Sequence, residues 1–158
     1  MDTIPMKNEK QKPWSKFWRH KQRANNLFLE SVENGNIENV KKLINPVYSV
    51  DDTAEVRFCN PSGLGAVHIA IRCEKITILK KLLEVDRTLL MMKTEDGKKE
   101  YPLHLAVKQQ NLGVIKLLLN EFDAPVIVKD IDHNTPMHLA IELRNTNIIK
   151  LLHTAAIS

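Results

Sequence analysis

The sequence has little glycine and no loop of the kind that cradles a phosphate. Only five glycines occur in 158 residues. The closest pair, in Gly63-Leu64-Gly65, reads as a turn, because no strand–loop–helix context with a lysine surrounds it. Cysteine is scarcer still. Cys59 and Cys73 form no CxxC pair and no zinc-ligand spacing, which excludes a disulfide scaffold and the common zinc modules. Neither has the neighbouring motif of a catalytic nucleophile; a buried cysteine most often serves as a small apolar residue. No apolar run reaches the roughly 18 residues that a membrane-spanning helix needs. The opening stretch, MDTIPMKNEK, lacks the apolar segment of a secretory signal. These absences lead to the expectation of a non-enzymatic protein without cofactor or metal, in a reducing cytoplasmic setting, with the nucleus also open to it.

Charge is present but uneven. The net formal charge is +4. Residues 1–23 hold seven Lys or Arg against Asp2 and Glu9, which leaves the rest of the chain close to neutral. A nearly neutral body argues against a broad nucleic-acid footprint, so no direct nucleic-acid binding is expected. Within the basic stretch, Trp14, Phe17 and Trp18 fall at i, i+3 and i+4 and would share one face of a short helix, with Lys16 and Arg19 beside them. Three uses of residues 12–23 stay open: a cap on the first repeat, a weak contact with an anionic membrane surface, or an import or partner-binding segment.

The body repeats itself. GAVHIAIRCEKITILKKLL (65–83), YPLHLAVKQQNLGVIKLLL (101–119) and TPMHLAIELRNTNIIKLLH (135–153) align without gaps. Their histidines, His68, His104 and His138, are 36 and 34 residues apart. A weaker copy, LFLESVENGNIENVKKLI (27–44), has Leu29 where the others have His. Each copy reads as two short helices. Ile78, Leu79, Leu82 and Leu83 in one, and Ile148, Ile149 and Leu152 in another, recur with the helical period. Helices this short need stacked neighbours for stability. First helices are predicted over 66–75, 102–110 and 136–145, and second helices near 76–85, 112–121 and 146–153. Ala70, Ala106 and Ala140 stand where helices would approach most closely, and Leu105 is expected at a repeat interface.

TPMHLAI (135–141) and YPLHLAV (101–107) resemble the TPLHLAA signature of ankyrin repeats. Val114-Ile115-Lys116-Leu117-Leu118 is similar to the family's second helix, and Asp130-Ile131-Asp132-His133-Asn134 to the turn that precedes its signature. Pro102 and Pro136 suit a first helical turn, and Thr135 suits the N-cap. The resemblance covers about residues 24–153. It implies an all-α solenoid of about four repeats (24–45, 60–85, 97–121 and 130–153) in a domain spanning 24–158, after the basic aromatic segment 1–23. It also implies that the three histidines are structural and that a concave face grips another protein. By family register that face would use the turn residues Asn60, Ser62, Leu64, Asp96, Lys98, Asp132 and His133. It would add Arg72, Lys108, Gln109, Glu142 and Arg144 at the ends of first helices.

The departures are specific. The family places glycine after the first helix; Gly35 keeps it, whereas Glu74, Gln110 and Arg144 do not. Gly65-Ala66 replaces Thr-Pro in the second repeat, and the connections 45–64 and 86–100 are long. A short array with long connections is also similar to the IκB proteins and their shortened viral versions. That likeness implies a Rel-type transcription factor as partner, and an inhibitor with no flanking acidic segment for signals to act on. A peripheral membrane or channel-associated adaptor, using the basic aromatic segment, is the other alternative.

Overall fold

Nothing in the sequence from residue 14 to residue 34 breaks a helix, since neither glycine nor proline occurs there. In the computed structural model, which describes residues 14–45 and 54–158 and their side chains from residue 19 onward, one helix fills that span. This is α1, Trp14–Asn34. It crosses the expected boundary between residues 23 and 24, so residues 14–23 are continuous with the first repeat. The aromatic side chains Trp14, Phe17 and Trp18, with Lys16, lie outside the described side chains; Arg19 is exposed.

The remaining elements follow as pairs. They are α2 (Ile37–Ile44), α3 (Ala66–Arg72), α4 (Ile76–Val85), α5 (Pro102–Lys108), α6 (Leu112–Lys116), α7 (Pro136–Glu142) and α8 (Thr146–Ile157). A π-helical turn, Leu117–Glu121, continues α6. The regular elements among the described residues are thus all helical, apart from an isolated bridge between Cys59 and Gly65.

The first helices stop earlier than predicted, at Arg72, Lys108 and Glu142, because the chain turns left-handed two residues on. Glu74, Gln110 and Arg144 have φ of 56, 56 and 54°, matching Gly35 at 77°. The family turn is therefore retained at three sites without glycine, at a conformational cost that a side chain with Cβ incurs there. Asparagine then starts three of the second helices. Asn36, Asn111 and Asn145 each accept a hydrogen bond from the backbone N–H three residues on, at 3.1, 3.1 and 3.2 Å.

Helices α1, α3, α5 and α7 stack in sequence as one layer, and α2, α4, α6 and α8 form the second. Between them Phe28, Ile71, Leu79, Leu82, Ile115, Leu118 and Leu152 are almost wholly removed from solvent. Each such side chain contributes about 1.5–3 kcal/mol by leaving water. Ala70, Ala106 and Ala140 are fully buried, as the close approach of first helices requires. Leu105 is only partly buried, packed against the core from its edge; Leu103 and Val107 hold the interior positions instead, at 2% and 0% exposure.

The long connection after α4 is ordered by packing. A 3₁₀ turn, Arg87–Met91, buries Leu89 and Leu90. It is N-capped by Asp86, whose carboxylate accepts from the Thr88 N–H at 2.9 Å. The Arg87 guanidinium reaches the next repeat, donating to the Glu121 carbonyl at 2.9 Å and lying 5.5 Å from the centre of the Phe122 ring. At the other end of the array, Asn25 of α1 is buried and accepts from the Glu55 N–H at 2.8 Å, which ties the connection after α2 back to the first helix.

Candidate functional site

The turns are held before any side chain is offered to solvent. In each of the three full repeats the histidine Nδ1 accepts from the backbone N–H three residues earlier: Gly65, Tyr101 and Thr135, at 3.1, 3.2 and 2.9 Å. Nδ1 as acceptor places the proton on Nε2. That Nε2 donates onward, from His68 to the Met92 carbonyl at 2.9 Å and from His104 to the Asn134 carbonyl at 2.8 Å. Each bond crosses from one repeat to the turn of the next. Burial holds the pKa of both His68 and His104 below the ordinary histidine value, against the opposing effect of those carbonyls. Two backbone bonds complete the edge: Glu95 N–H to the Gly63 carbonyl at 2.8 Å, and Ile131 N–H to the Lys98 carbonyl at 3.0 Å.

Carboxylates and amides shape the tips. Asn60 accepts from the N–H groups of Ser62 and Leu64, both at 3.0 Å. Asp96 accepts from the Thr94 hydroxyl at 2.7 Å and from the Lys98 N–H at 3.0 Å. Partial burial raises its pKa, and these hydrogen bonds with the Lys98 charge outweigh that and lower it. Asp130 accepts from the N–H groups of Asp132 and Asn134, at 3.0 and 2.9 Å. A Cβ on Gly65 would stand 2.6 Å from Cε of Met92, the far end of a flexible side chain that would have to shift.

The chain carries the repeat pattern along most of its length. A family model described as ankyrin repeats (3 copies) matches residues 27–120 and 68–157. The chain belongs to the ankyrin-repeat family. No curated protein is similar enough to it to count as a relative. Ankyrin repeats are generally protein–protein interaction modules, and the family is typically non-enzymatic. Among the described residues no three His, Cys, Asp or Glu converge as a metal site would need. No described helix is long and apolar enough to cross a membrane.

The ankyrin frame places the expected contact residues unequally. Ser62, Arg72, Asp96, Lys98, Gln109, Asp132, His133, Glu142 and Arg144 are exposed, and Asn60 is half-buried in service of its turn. Leu64 is a correction: it is 6% exposed and packs in the core, so it offers no surface to a partner. Lys108 is another. Its ammonium pairs with the Glu100 carboxylate, which is 5% exposed. Sequence register marks Lys108 as a free surface charge, yet it has a structural task. Gln109 is also partly committed, since its side-chain amide donates to the Arg72 carbonyl at 3.1 Å and ties α5 to α3. Two apolar residues were missed. Ile131 at a turn tip is 48% exposed, and Leu143 at the end of the last first-helix is 38% exposed. Leu143 aligns with Gln109, and an apolar residue at a polar register position was the available signal.

Proposed function

We propose that this ankyrin-repeat protein acts by binding another protein through the turn tips and first-helix ends of its successive repeats. One observation carries the reading. The backbones of these tips are fixed by hydrogen bonds between repeats, while two of the side chains on them are left without structural work. Arg72 and Asp132 are exposed, and neither side chain makes a hydrogen bond or ion pair among the described residues. A pre-ordered edge with unspent side chains loses little entropy on binding. Ile131 and Leu143 add apolar contact beside Asp132 and Glu142.

The test is affinity capture with the purified chain and with Arg72→Glu/Asp132→Lys, followed by identification of the bound protein. The expected result is a defined partner that the double variant fails to hold although its melt is unchanged. Equal capture by both would rule the edge out. The identity of the partner separates the finer readings: a Rel-type transcription factor would make this an IκB-like inhibitor. Sedimentation with anionic vesicles, lost in Lys16→Glu/Arg19→Glu, would favour the membrane-adaptor alternative.

A further inference from the structure

The two long connections meet at the turn that precedes α5. Arg57 comes from the first, Met91, Met92 and Lys93 from the second, and Glu95 and Lys99 from the turn itself; all six line one groove of about 710 Å³. Met91 is 51% exposed, and Met92 is half-buried with its methyl end lying over Gly65. Methionine makes an apolar surface that adapts to what it meets. The cations around it are unequally engaged. Arg57 pairs with Asp86 at 3.3 Å and donates to the Thr88 hydroxyl. The Lys93 ammonium lies 5.3 Å from the centre of the Tyr101 ring and has no carboxylate partner among the described residues. Lys99 is exposed, and its side chain makes no hydrogen bond or ion pair among the described residues. Glu95 is the carboxylate among the lining residues, and it pairs with neither lysine.

This basic rim is local. Arg57 and Lys93 are 36 residues apart, as are His68 and His104, so they hold equivalent places in successive turns. The next equivalent place, 34 residues on, holds Ile127. Lys99 is more telling. Its backbone is left-handed, with φ of 53°, as are its equivalents Gly63 at 78° and His133 at 64°. A lysine there incurs a conformational cost that glycine avoids, and its side chain returns nothing to the fold. Strain kept without structural return points to function.

We propose that this groove takes an acidic segment of the partner protein that carries one bulky apolar side chain, with the apolar group on Met91 and carboxylates against Lys93 and Lys99. The proposal names the chemistry of the partner and rests on the reading of the chain as a protein binder. Asp96 and Lys98 of the proposed edge stand in the same turn, so the groove continues that edge. Charge complementarity selects the occupant: two lysines without a counter-charge attract carboxylates and repel a basic segment. The methionine surface selects against nucleic acid. A phosphate chain would leave Met91 without an apolar group to cover it, and the nearly neutral body offers no continuing track of cations.

The full chain, labelled with carbon-13 on its methionine methyl groups, is titrated at low salt with the peptide acetyl-Glu-Glu-Leu-Glu-Glu-amide and followed by NMR. Saturable shifts of the Met91 and Met92 methyls are expected, with Met137 of α7 unmoved. Lys99→Glu should weaken binding about fivefold or more, and Glu95→Gln should tighten it about twofold by removing a like charge from the groove. Lys99→Gly should also weaken it while raising the melting temperature, since glycine relieves the backbone. A Met91 methyl that stays unmoved up to millimolar peptide overturns the proposal. So does equal affinity for acetyl-Lys-Lys-Leu-Lys-Lys-amide, and so does an equal response to a uridine pentanucleotide, the mark of a phosphate site. The edge fails separately: partner capture that survives Arg72→Glu/Asp132→Lys rules out the edge whatever the peptide does, and a peptide that does not bind, with capture intact, rules out the groove alone.

Discussion

At the scale of single residues, the buried histidines couple the fold to pH. His68 and His104 are wedged between repeats, and burial lowers their pKa from 6.5 in the folded chain. The unfolded chain therefore takes up protons first as pH falls. The stability these residues contribute is complete above about pH 6.5 and is lost below it, as the medium approaches their folded pKa. Melting temperature should fall between about pH 7 and pH 5; a flat profile would mean that neither imidazole is neutral and enclosed. The Glu100–Lys108 pair yields a second prediction. Lys108→Ala leaves a carboxylate that is 5% exposed without its cation. The expected loss is about 1–3 kcal/mol, tempered by the half-exposed lysine, and Glu100→Gln in the same background should recover part of it. Denaturant melts of the three chains decide this. The histidines were legible in the sequence because they recur in register with one apolar pattern. Glu100 was not, since a glutamate just before a helix reads as a solvated turn residue, and only the folded edge shows Thr94 and Lys108 closing over it.

At the scale of elements, the helices were legible in number and type, while their ends were less so. The i, i+3, i+4 spacing of Ile78, Leu79, Leu82 and Leu83 marks α4 without reference to anything outside it. The end of α3 depends on a left-handed residue that the sequence does not advertise, because Glu74 stands in for glycine. The expected boundary between residues 23 and 24 rests on a change in composition, and α1 runs through it because no helix breaker stands there. The π-helical turn after α6 has a local logic as well. Leu117, Leu118 and Leu119 are consecutive and all buried, at 8, 0 and 7%. A wider turn rotates less per residue and keeps three neighbours facing inward. The strain at the first-helix ends is open to measurement. Glu74→Gly removes a Cβ from a φ of 56°, and should stabilise the chain by about 0.5–1 kcal/mol. Gln110→Gly should gain less, because its side-chain oxygen accepts from the Asn145 amide at 3.0 Å. A Glu74→Gly melt at or below that of the parent would show that the glutamate side chain makes up for its backbone.

At the scale of the whole molecule, the proposed function puts stability and recognition in different layers of one stack. Each repeat touches mainly its neighbours, so stability accumulates along the array from the leucine and isoleucine layer between first and second helices. The proposed recognition surface is the edge, where backbones are tied between repeats and side chains such as Arg72 and Asp132 are not. The two layers should respond separately to mutation. Leu103→Ala opens a cavity at a residue 2% exposed, and should cost about 2–5 kcal/mol. Below its lowered melting temperature, affinity for the captured partner should stay close to that of the parent, because the edge is unaltered once folded. Arg72→Glu/Asp132→Lys should do the reverse. Exposed substitutions shift stability by no more than about 0.5 kcal/mol, whereas a charge desolvated by a partner is worth roughly 2–5 kcal/mol when its own partner group is stranded. Calorimetric melts and titration of the identified partner, run on all three chains, give a two-by-two comparison. Loss of affinity in Leu103→Ala at a temperature where it is fully folded would show that the core transmits to the edge. Retained affinity in the charge variant would move the recognition surface off the turns altogether.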